Sequence, residues 1–363
     1  MPLFFLILAV LYITGNGYIY FRSWEMLRTF PLLWKWVFSV CYWAGTFSFF
    51  YLFGHRELPE FNPVIHILYY IGTGWLIFTL YMVLFLLCTD LLRVFNIGFN
   101  YRFISCFVLT ILLLTGGYIH YSHPKKEVIN IDINKEVTGK KQIRVVAISD
   151  IHIGYGTTKE RLQQYIRTIQ AEKPDLILIS GDLIDSNLKP VREQRMEQEL
   201  NQLQAPLGVF MIPGNHEYIS GIGKSRAFIR QQTSIQWLQD SVVTLPNGIQ
   251  LIGRDDRHNP RRKSIAQLTD TLPAHAPSIL LDHQPYHLEE AEQAKIDLQF
   301  SGHTHDGQIW PLNLITDHLF EVGYGYKQKG NTHIYVSSGL SLWGPPFRIG
   351  TRSEMVIFNI NFQ

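Results

Sequence analysis

Four apolar runs fill most of the first 121 residues, at 3–21, 32–53, 64–88 and 103–121. Each is long enough to cross about 30 Å of hydrocarbon as a helix. In lipid a segment must satisfy its own backbone hydrogen bonds, so runs of this kind can fold as helices and little else. Residues 1–121 carry ten charges: Arg22, Glu25, Arg28, Lys35, Arg56, Glu57, Glu60, Asp90, Arg93 and Arg102. The other 52 lie in 122–363, with 26 of each sign. A soluble bundle would show a polar stripe on every helix, and these runs show almost none. The expectation is a transmembrane domain of about four helices over 1–121, a juxtamembrane linker or entry strand over 122–141, and a globular domain over 142–363.

The first run is interrupted by Thr14, Gly15, Asn16 and Gly17. It lacks the basic start and small-residue cleavage site of a signal peptide, so an uncleaved helix is expected. Tyr and Trp gather near run ends, as at membrane interfaces. The first and third loops with Lys35 hold Arg22, Arg28, Arg93 and Arg102, against Arg56, Lys125 and Lys126 on the other side. That bias places the globular domain outside the cytoplasm. The helices show no evident intramembrane ionic pair, and Asp90 sits at a run end, which fits an interfacial position. The three cysteines, Cys41, Cys88 and Cys106, all belong to the apolar third, so the globular part has no disulfide and no cysteine-based zinc site. Its balanced charge offers no footprint for nucleic acid, and an apolar content of 47% excludes disorder.

The globular part alternates short β-branched runs with polar turns and helical patterns. A strand at 143–148 ends in Ser149-Asp150, one at 176–179 in Gly181-Asp182, and one at 208–212 in Gly214-Asn215-His216. Between them lie a helix at 159–171, with Leu162, Tyr165, Ile166 and Ile169 on one face, and a polar helix at about 191–203. Further strands are expected at 249–252, 278–281, 298–300, 333–336 and 355–360. The pattern is α/β, with two packed sheets flanked by helices.

Five polar clusters follow the strands: Asp150-Ile151-His152, Gly181-Asp182-Leu183-Ile184-Asp185, Gly214-Asn215-His216-Glu217, His283 within Leu281–Pro285, and Gly302-His303-Thr304-His305. Neutral imidazole with carboxylate and carbonyl oxygen suits divalent Mn, Fe, Co or Zn. There are too many donors for one tetrahedral ion, and they suit two. Two neighbouring ions can lower the pKa of a shared water and clamp both the attacking and the leaving oxygen of a phosphoryl transfer. Singly, each cluster reads as a turn or an incidental histidine. The combination, each at a strand end, points to phosphate chemistry.

Together these clusters resemble the calcineurin-like metallophosphoesterase superfamily over about residues 142–363. Residues 301–309 (SGHTHDGQI) and 335–350 (YVSSGLSLWGPPFRIG) are similar to a bacterial membrane-associated or exported branch that includes relatives of a UDP-diacylglucosamine diphosphatase. That branch carries Gly-His-Thr-His-Gly-Gly-Gln in its fifth block; here Asp306 replaces the first paired glycine, which bears on substrate choice. The resemblance implies a calcineurin-like two-sheet sandwich and two divalent ions per chain. It implies that Asp150, His152 and His305 bind the first ion, Asp182 bridges, and Asn215, His283 and His303 bind the second. His216 would assist the leaving group and Asp185 would orient it. Glu217 stands where the superfamily accepts Asp or Glu.

Other positions point less sharply. Arg254 is a candidate phosphate contact, with a solvated turn as the competing reading. Arg261-Arg262-Lys263 could meet anionic head groups. Trp310, Trp343 and Pro345-Pro346 fit an active-site rim, a bilayer contact or core packing. His66, His120, His275, His287, His318 and His333 fit no cluster. The leading functional reading is a membrane-anchored two-metal hydrolase of phosphate esters or phosphoanhydrides in a bacterial inner membrane. Its partners would be the bilayer and a phosphorylated, lipid-linked substrate. The alternatives are a cytoplasm-facing UDP-diacylglucosamine-type diphosphatase and a catalytically silent binding or sensor protein.

Overall fold

The structure, a computed structural model, describes residues 2–53, 62–98 and 100–363. Arg56, used above to weigh the loops, lies outside the described residues, as do Glu57 and Glu60. The chain divides into two compact units, one of Met1–Ile119 with Gly344–Phe347 and one of His120–Trp343 with Arg348–Gln363.

The first unit contains α1 (Pro2–Met26), α2 (Leu32–Phe53), α3 (Pro63–Val94) and α4, whose span, Arg102–Ser122, runs into the second unit. Two of them, α3 and α4, are long and apolar enough to cross a membrane by length and composition. α1 and α2 run for 25 and 22 residues. Asn62 caps α3, its side-chain oxygen accepting from the Val64 and Ile65 N–H groups at 3.0 Å, with Pro63 in the first turn.

The polar stretch of the first run has a structural reason. Asn16 is fully buried, and its Oδ1 accepts hydrogen bonds from Tyr42 and Thr46 of α2 and from Trp75 and Thr79 of α3, at 3.0–3.3 Å. One amide thus joins three helices. An ionic cluster forms at the run ends. Asp90 of α3 pairs with Arg22 of α1 and with Arg102 of α4 at 2.5 Å, and accepts from the Tyr18 hydroxyl at 2.5 Å. These partners lie up to 72 residues apart, so no local pattern announces them.

In the second unit, β1 (Lys125–Ile133), β2 (Gln142–Ile148), β3 (Leu176–Ser180), β4 (Val209–Ile212) and β5 (Gln236–Trp237) join β12 (Glu354–Phe362) in one sheet, ordered β1-β12-β2-β3-β4-β5. The second sheet holds β6 (Ser241–Thr244), β7 (Gln250–Gly253), β8 (Ser278–Leu281), β9 (Leu298–Ser301), β10 (Gly325–Lys329) and β11 (Thr332–Val336), ordered β10-β11-β9-β8-β7-β6. β2 to β5 run parallel in the first sheet, and β7, β8, β9 and β11 in the second. The two sheets face each other across Val145, Leu178, Phe210, Leu251, Leu281, Phe300 and Phe358. Because strand side chains alternate, Val146, Ile148, Ile177 and Ile179 point the other way, onto Leu162, Tyr165, Ile166 and Ile169 of α5 (Lys159–Ala171). β3 is therefore buried along its whole length.

Of the linker and entry-strand readings of 122–141, the strand describes residues 125–133: the alternation of Ile129, Ile131 and Ile133 makes β1 an edge strand paired in parallel with β12. One expectation needs correction. The polar helix at 191–203 is two short ones, α6 (Lys189–Glu193) and α7 (Glu197–Leu200), interrupted by Arg195 at φ 52°. The remaining short helices are α8 (Asn215–Ile219), α9 (Ile222–Gln232), α10 (Ile265–Thr269), α11 (Glu289–Gln293) and α12 (Leu312–Leu319).

Candidate metal centre

The parallel strands of both sheets deliver their carboxyl ends to one place. β2 leads to Asp150 and His152, β3 to Asp182 and Asp185, β4 to Asn215, His216 and Glu217, β8 to His283, and β9 to His303 and His305. Their donor atoms form three overlapping groups: Asp150, His152 and His305; His152, Asp182 and His216; Asp182, His283 and His303. Within each group the atoms lie within 4.8 Å of one another. His152 and Asp182 are each shared, so the three groups run into one another.

Close approach of the loops dictates the glycines. A Cβ on Gly214 would sit 2.2 Å from Asp182 Oδ1, and one on Gly302 would sit 2.3 Å from Asp150 Oδ2. Asp150, His152, Asp182, His303, His305 and Asp306 all have φ between 48° and 73°. Such left-handed backbone is costly for these residues and gathers at functional sites. It is held by hydrogen bonds between loops, including Asp150 N–H to Gly181 O at 3.1 Å, His152 N–H to Asp182 O at 3.0 Å and Gly302 N–H to His283 O at 2.9 Å.

On one side, His152 Nε2 and His305 Nε2 stand 3.2 Å apart, and Asp150 Oδ1 is 3.4 Å from the latter. Ligands about 2.1 Å from one ion are themselves about 3.0–3.4 Å apart, so these separations suit a shared cation. On the other side, Asn215 Oδ1 lies 2.8 Å from His303 Nδ1 and 3.2 Å from His283 Nε2, which is 3.1 Å from Asp182 Oδ2. The His283 Nδ1–H donates to Ser180 O at 2.7 Å, which aims Nε2 into the site.

Electrostatics favour a cation. Asp150 and Asp182 are 0% and 1% exposed, and a buried carboxylate demands positive charge. Burial resists the ionisation of Asp182, but His283 outweighs it and holds the carboxyl well below its usual range. Burial raises the Asp150 carboxyl. Burial also lowers His152, His303 and His305, with His303 falling to about 4, so these rings are neutral electron-pair donors. His283 is opposed by burial yet raised by Asp182 and Asp150. A divalent ion would supply the charge that its proton now supplies. The donor set fits divalent metal ions.

His216 is buried, its ring centre 4.5 Å from that of His152 and 6.1 Å from the half-exposed Trp343 ring. Its Nδ1 lies 3.2 Å from Asp185 Oδ1. Burial opposes its protonation, but Asp185 and Asp182 prevail and raise it to about 9. Glu217, fully buried, accepts from the N–H groups of Asp182 at 3.0 Å, Ile184 at 2.9 Å and Gly214 at 2.7 Å. It ties the Asp182 loop to the Asn215 loop.

Arg254 is not placed against these donors. Its guanidinium is paired with Asp282 at 3.0 Å and Glu290 at 2.9 Å, and Nε donates to Lys263 O. Arg262 meets the other Asp282 oxygen at 3.0 Å, so this pair braces the loop before His283 instead of offering free phosphate donors. Asp306 joins none of the three donor groups among the described residues. Burial raises its carboxyl to about 6 against the pull of Arg348. His275, His287 and His318 are exposed.

Arg348 had no role in the sequence reading. It is fully buried and donates to His305 O at 2.5 Å, to Ser341 O at 2.9 Å and to Ser338 O. Ser341 N–H in turn donates to Asp150 O at 3.1 Å. One guanidinium thus braces both loops beside the first cluster. Its only sequence signal is an arginine flanked by Phe347 and Ile349.

The model of the calcineurin-like phosphoesterases matches residues 143–307. A metallophosphoesterase of Helicobacter pylori is 33% identical over 68% of this chain and 66% of its own length. One from Aquifex aeolicus is 32% identical over 69% of this chain and 97% of its own. A bovine transmembrane protein with a metallophosphoesterase domain is 28% identical over 69% of this chain. The chain spans about two thirds of the Helicobacter relative and 60% of the bovine one. The chain belongs to the calcineurin-like phosphoesterase family, and with it to the metal-dependent phosphoesterases.

Proposed function

We propose that the protein is a membrane-anchored hydrolase that holds two divalent ions and cleaves a phosphate ester or phosphoanhydride. The observation that carries this is the set of three overlapping donor groups sharing His152 and Asp182. Asp150, His152, His305 and Asp182 would hold one ion, and Asp182, Asn215, His283 and His303 the other. The ions, drawn from Mn, Fe, Zn and Co, would supply charge neutralisation at the phosphate and activation of water. His216, kept protonated by Asp185, would donate its proton to the leaving oxygen, and Asp185 would set the ring's orientation. Asp306, beside His305, would bear on substrate choice.

The membrane reading extends to all four helices as a transmembrane domain in a bacterial inner membrane, with the catalytic unit on the extracytoplasmic face. The basic first and third loops support that orientation. A lipid-linked substrate is supported by the helix that follows the fifth cluster. In α12 Leu312, Leu314, Ile315 and Leu319 are exposed, as is the preceding Trp310. The resemblance of 301–309 and 335–350 to an envelope-associated branch points the same way.

The test uses the full chain, purified in detergent with and without Mn, on one aryl phosphomonoester and one aryl phosphodiester. His216→Ala should lower kcat by about 10²–10⁴-fold with metal still bound. Asp182→Asn should lose metal and turnover together. Metal-bound protein whose turnover is unchanged in His216→Ala would overturn the proposed role. A carboxyl-terminal reporter active only in the cytoplasm should stay silent, and a signal would reverse the orientation.

A further inference from the structure

Half of the ten charges in residues 1–121 gather at one end of the helices: Arg22, Glu25, Asp90, Arg93 and Arg102. Ionisable groups placed in or beside membrane-spanning segments are expensive and are kept for a use. Here they surround a cavity of about 540 Å³ between α1, the end of α3 and the start of α4. Molecules of ligand size occupy cavities of about 300–1,000 Å³.

Three guanidiniums line it, those of Arg22, Arg93 and Arg102, against a single lining carboxylate, Glu25. Asp90 grips Arg22 and Arg102, whose side chains are 18% and 16% exposed. One carboxylate cannot neutralise two guanidiniums, nor can it occupy their five N–H donors each. It holds them in place and leaves donors over. Arg93 is exposed and has no carboxylate partner among the described residues. The rest of the lining includes apolar Leu86, Ile97, Phe103 and Ile104 beside polar Thr89 and Asn100, and α4 goes on to carry exposed Phe107, Val108 and Ile111. Arginines suit phosphate because the planar fork matches two oxygens at once. A basic chamber beside an exposed apolar helix surface suits an anionic head with acyl chains.

We infer that this cavity binds the phosphate of an anionic membrane lipid, with Arg22 and Arg102 as its preset donors and Arg93 at its mouth. The inference rests on the proposal that these helices lie in a bilayer. It concerns a site separate from the metal donors, so lipid composition would act on the helical unit whether or not the substrate is itself a lipid.

The test titrates dihexanoyl phosphatidylglycerol, dihexanoyl phosphatidylcholine and inorganic phosphate onto the full chain in detergent, reading bound mass and melting temperature. Phosphatidylglycerol should bind and raise the melting temperature, and phosphatidylcholine should do neither. Arg93→Gln should weaken phosphatidylglycerol binding about tenfold, Arg93→Glu should abolish it, and both should keep parental turnover of the aryl ester. Unchanged binding in both variants, or equal binding of phosphatidylcholine, overturns the inference. Inorganic phosphate binding as tightly, and as dependent on Arg93, would overturn the lipid as its source. Recovery of the chain in the soluble fraction of cells would instead remove the membrane proposal beneath it.

Discussion

Replacing Gly302 with alanine adds one methyl group at the most confined point of the metal centre. The backbone there is not left-handed, so alanine meets no conformational penalty of its own. The new Cβ would lie 2.3 Å from Asp150 Oδ2, 2.5 Å from Ser149 Oγ and 2.6 Å from Ser149 Cβ. Nonbonded heavy atoms settle at about 3.5 Å, so something must move by about 1 Å. Metal ligation tolerates about 0.2 Å. The Asp150 carboxylate would leave the position where it accepts from His303 N–H and faces His305. Disturbing even the supports of ligands costs about 10–100-fold in metal affinity, so Gly302→Ala should cost at least that at the first cluster. Overpacking should cost about 1–3 kcal/mol, partly offset by the stiffer unfolded chain. At about 2–4 °C per kcal/mol, the melting temperature should fall by several degrees. Gly223 is the control: it is exposed within α9 and nothing lies within 4 Å of its Cβ position. Gly223→Ala should stabilise by about 0.4–1 kcal/mol and leave metal binding alone. The assay is Mn affinity by competition with a chromogenic chelator, beside melting of both variants. A Gly302→Ala protein with parental Mn affinity and parental melting would refute the crowding argument.

Glu217→Gln places an amide NH₂ where one oxygen accepts a buried N–H, leaving that donor unsatisfied at about 1–3 kcal/mol. The melting temperature should fall and metal affinity should drop with it, as measured by the same two assays. Arg348→Met strips the donors from three buried carbonyls and should cost about 3 kcal/mol or more. Arg348→Lys should recover part of that loss and part of the metal affinity. Glu172 joins Lys126 of β1 to Arg144 of β2, and Lys126 first, then Arg144, hold its carboxyl below the usual range against some burial. A lowered carboxylate contributes stability above its ordinary range and loses it as pH falls through the folded-state value. Glu172→Gln should therefore melt lower than the parent at pH 7, by no more than about 1 kcal/mol for so exposed a cluster, and the two should converge in strong acid.

Much of the site was legible because each element of it is local. A strand of β-branched residues followed by Asp, Asn or His specifies where a polar side chain leaves a sheet, and β2, β3, β8 and β9 begin or end within a residue of where alternation and turn residues placed them. The face of α5 followed from its period. The ion pairs of Arg254 were hidden because a lone arginine after a strand says nothing about carboxylates 28 and 36 residues away. The break at Arg195 was hidden because a polar helix and two polar turns have nearly the same composition. Asn16 looked like a flaw in a hydrophobic run until three helices closed around it.

By itself the chain determined its long helices, most of its strands and the chemical kind of its donors, since these depend on residue period and on neighbours a few positions apart. Tertiary structure alone decided that β1 pairs with β12, 229 residues away. It also decided that Asp90 sits between two arginines, and that Arg348 braces the loops of His305 and Asp150. Each of these is a pairing of charges or backbone groups brought together by burial. Its partners are chosen by geometry in space, and nothing in the spacing of residues along the chain records the choice.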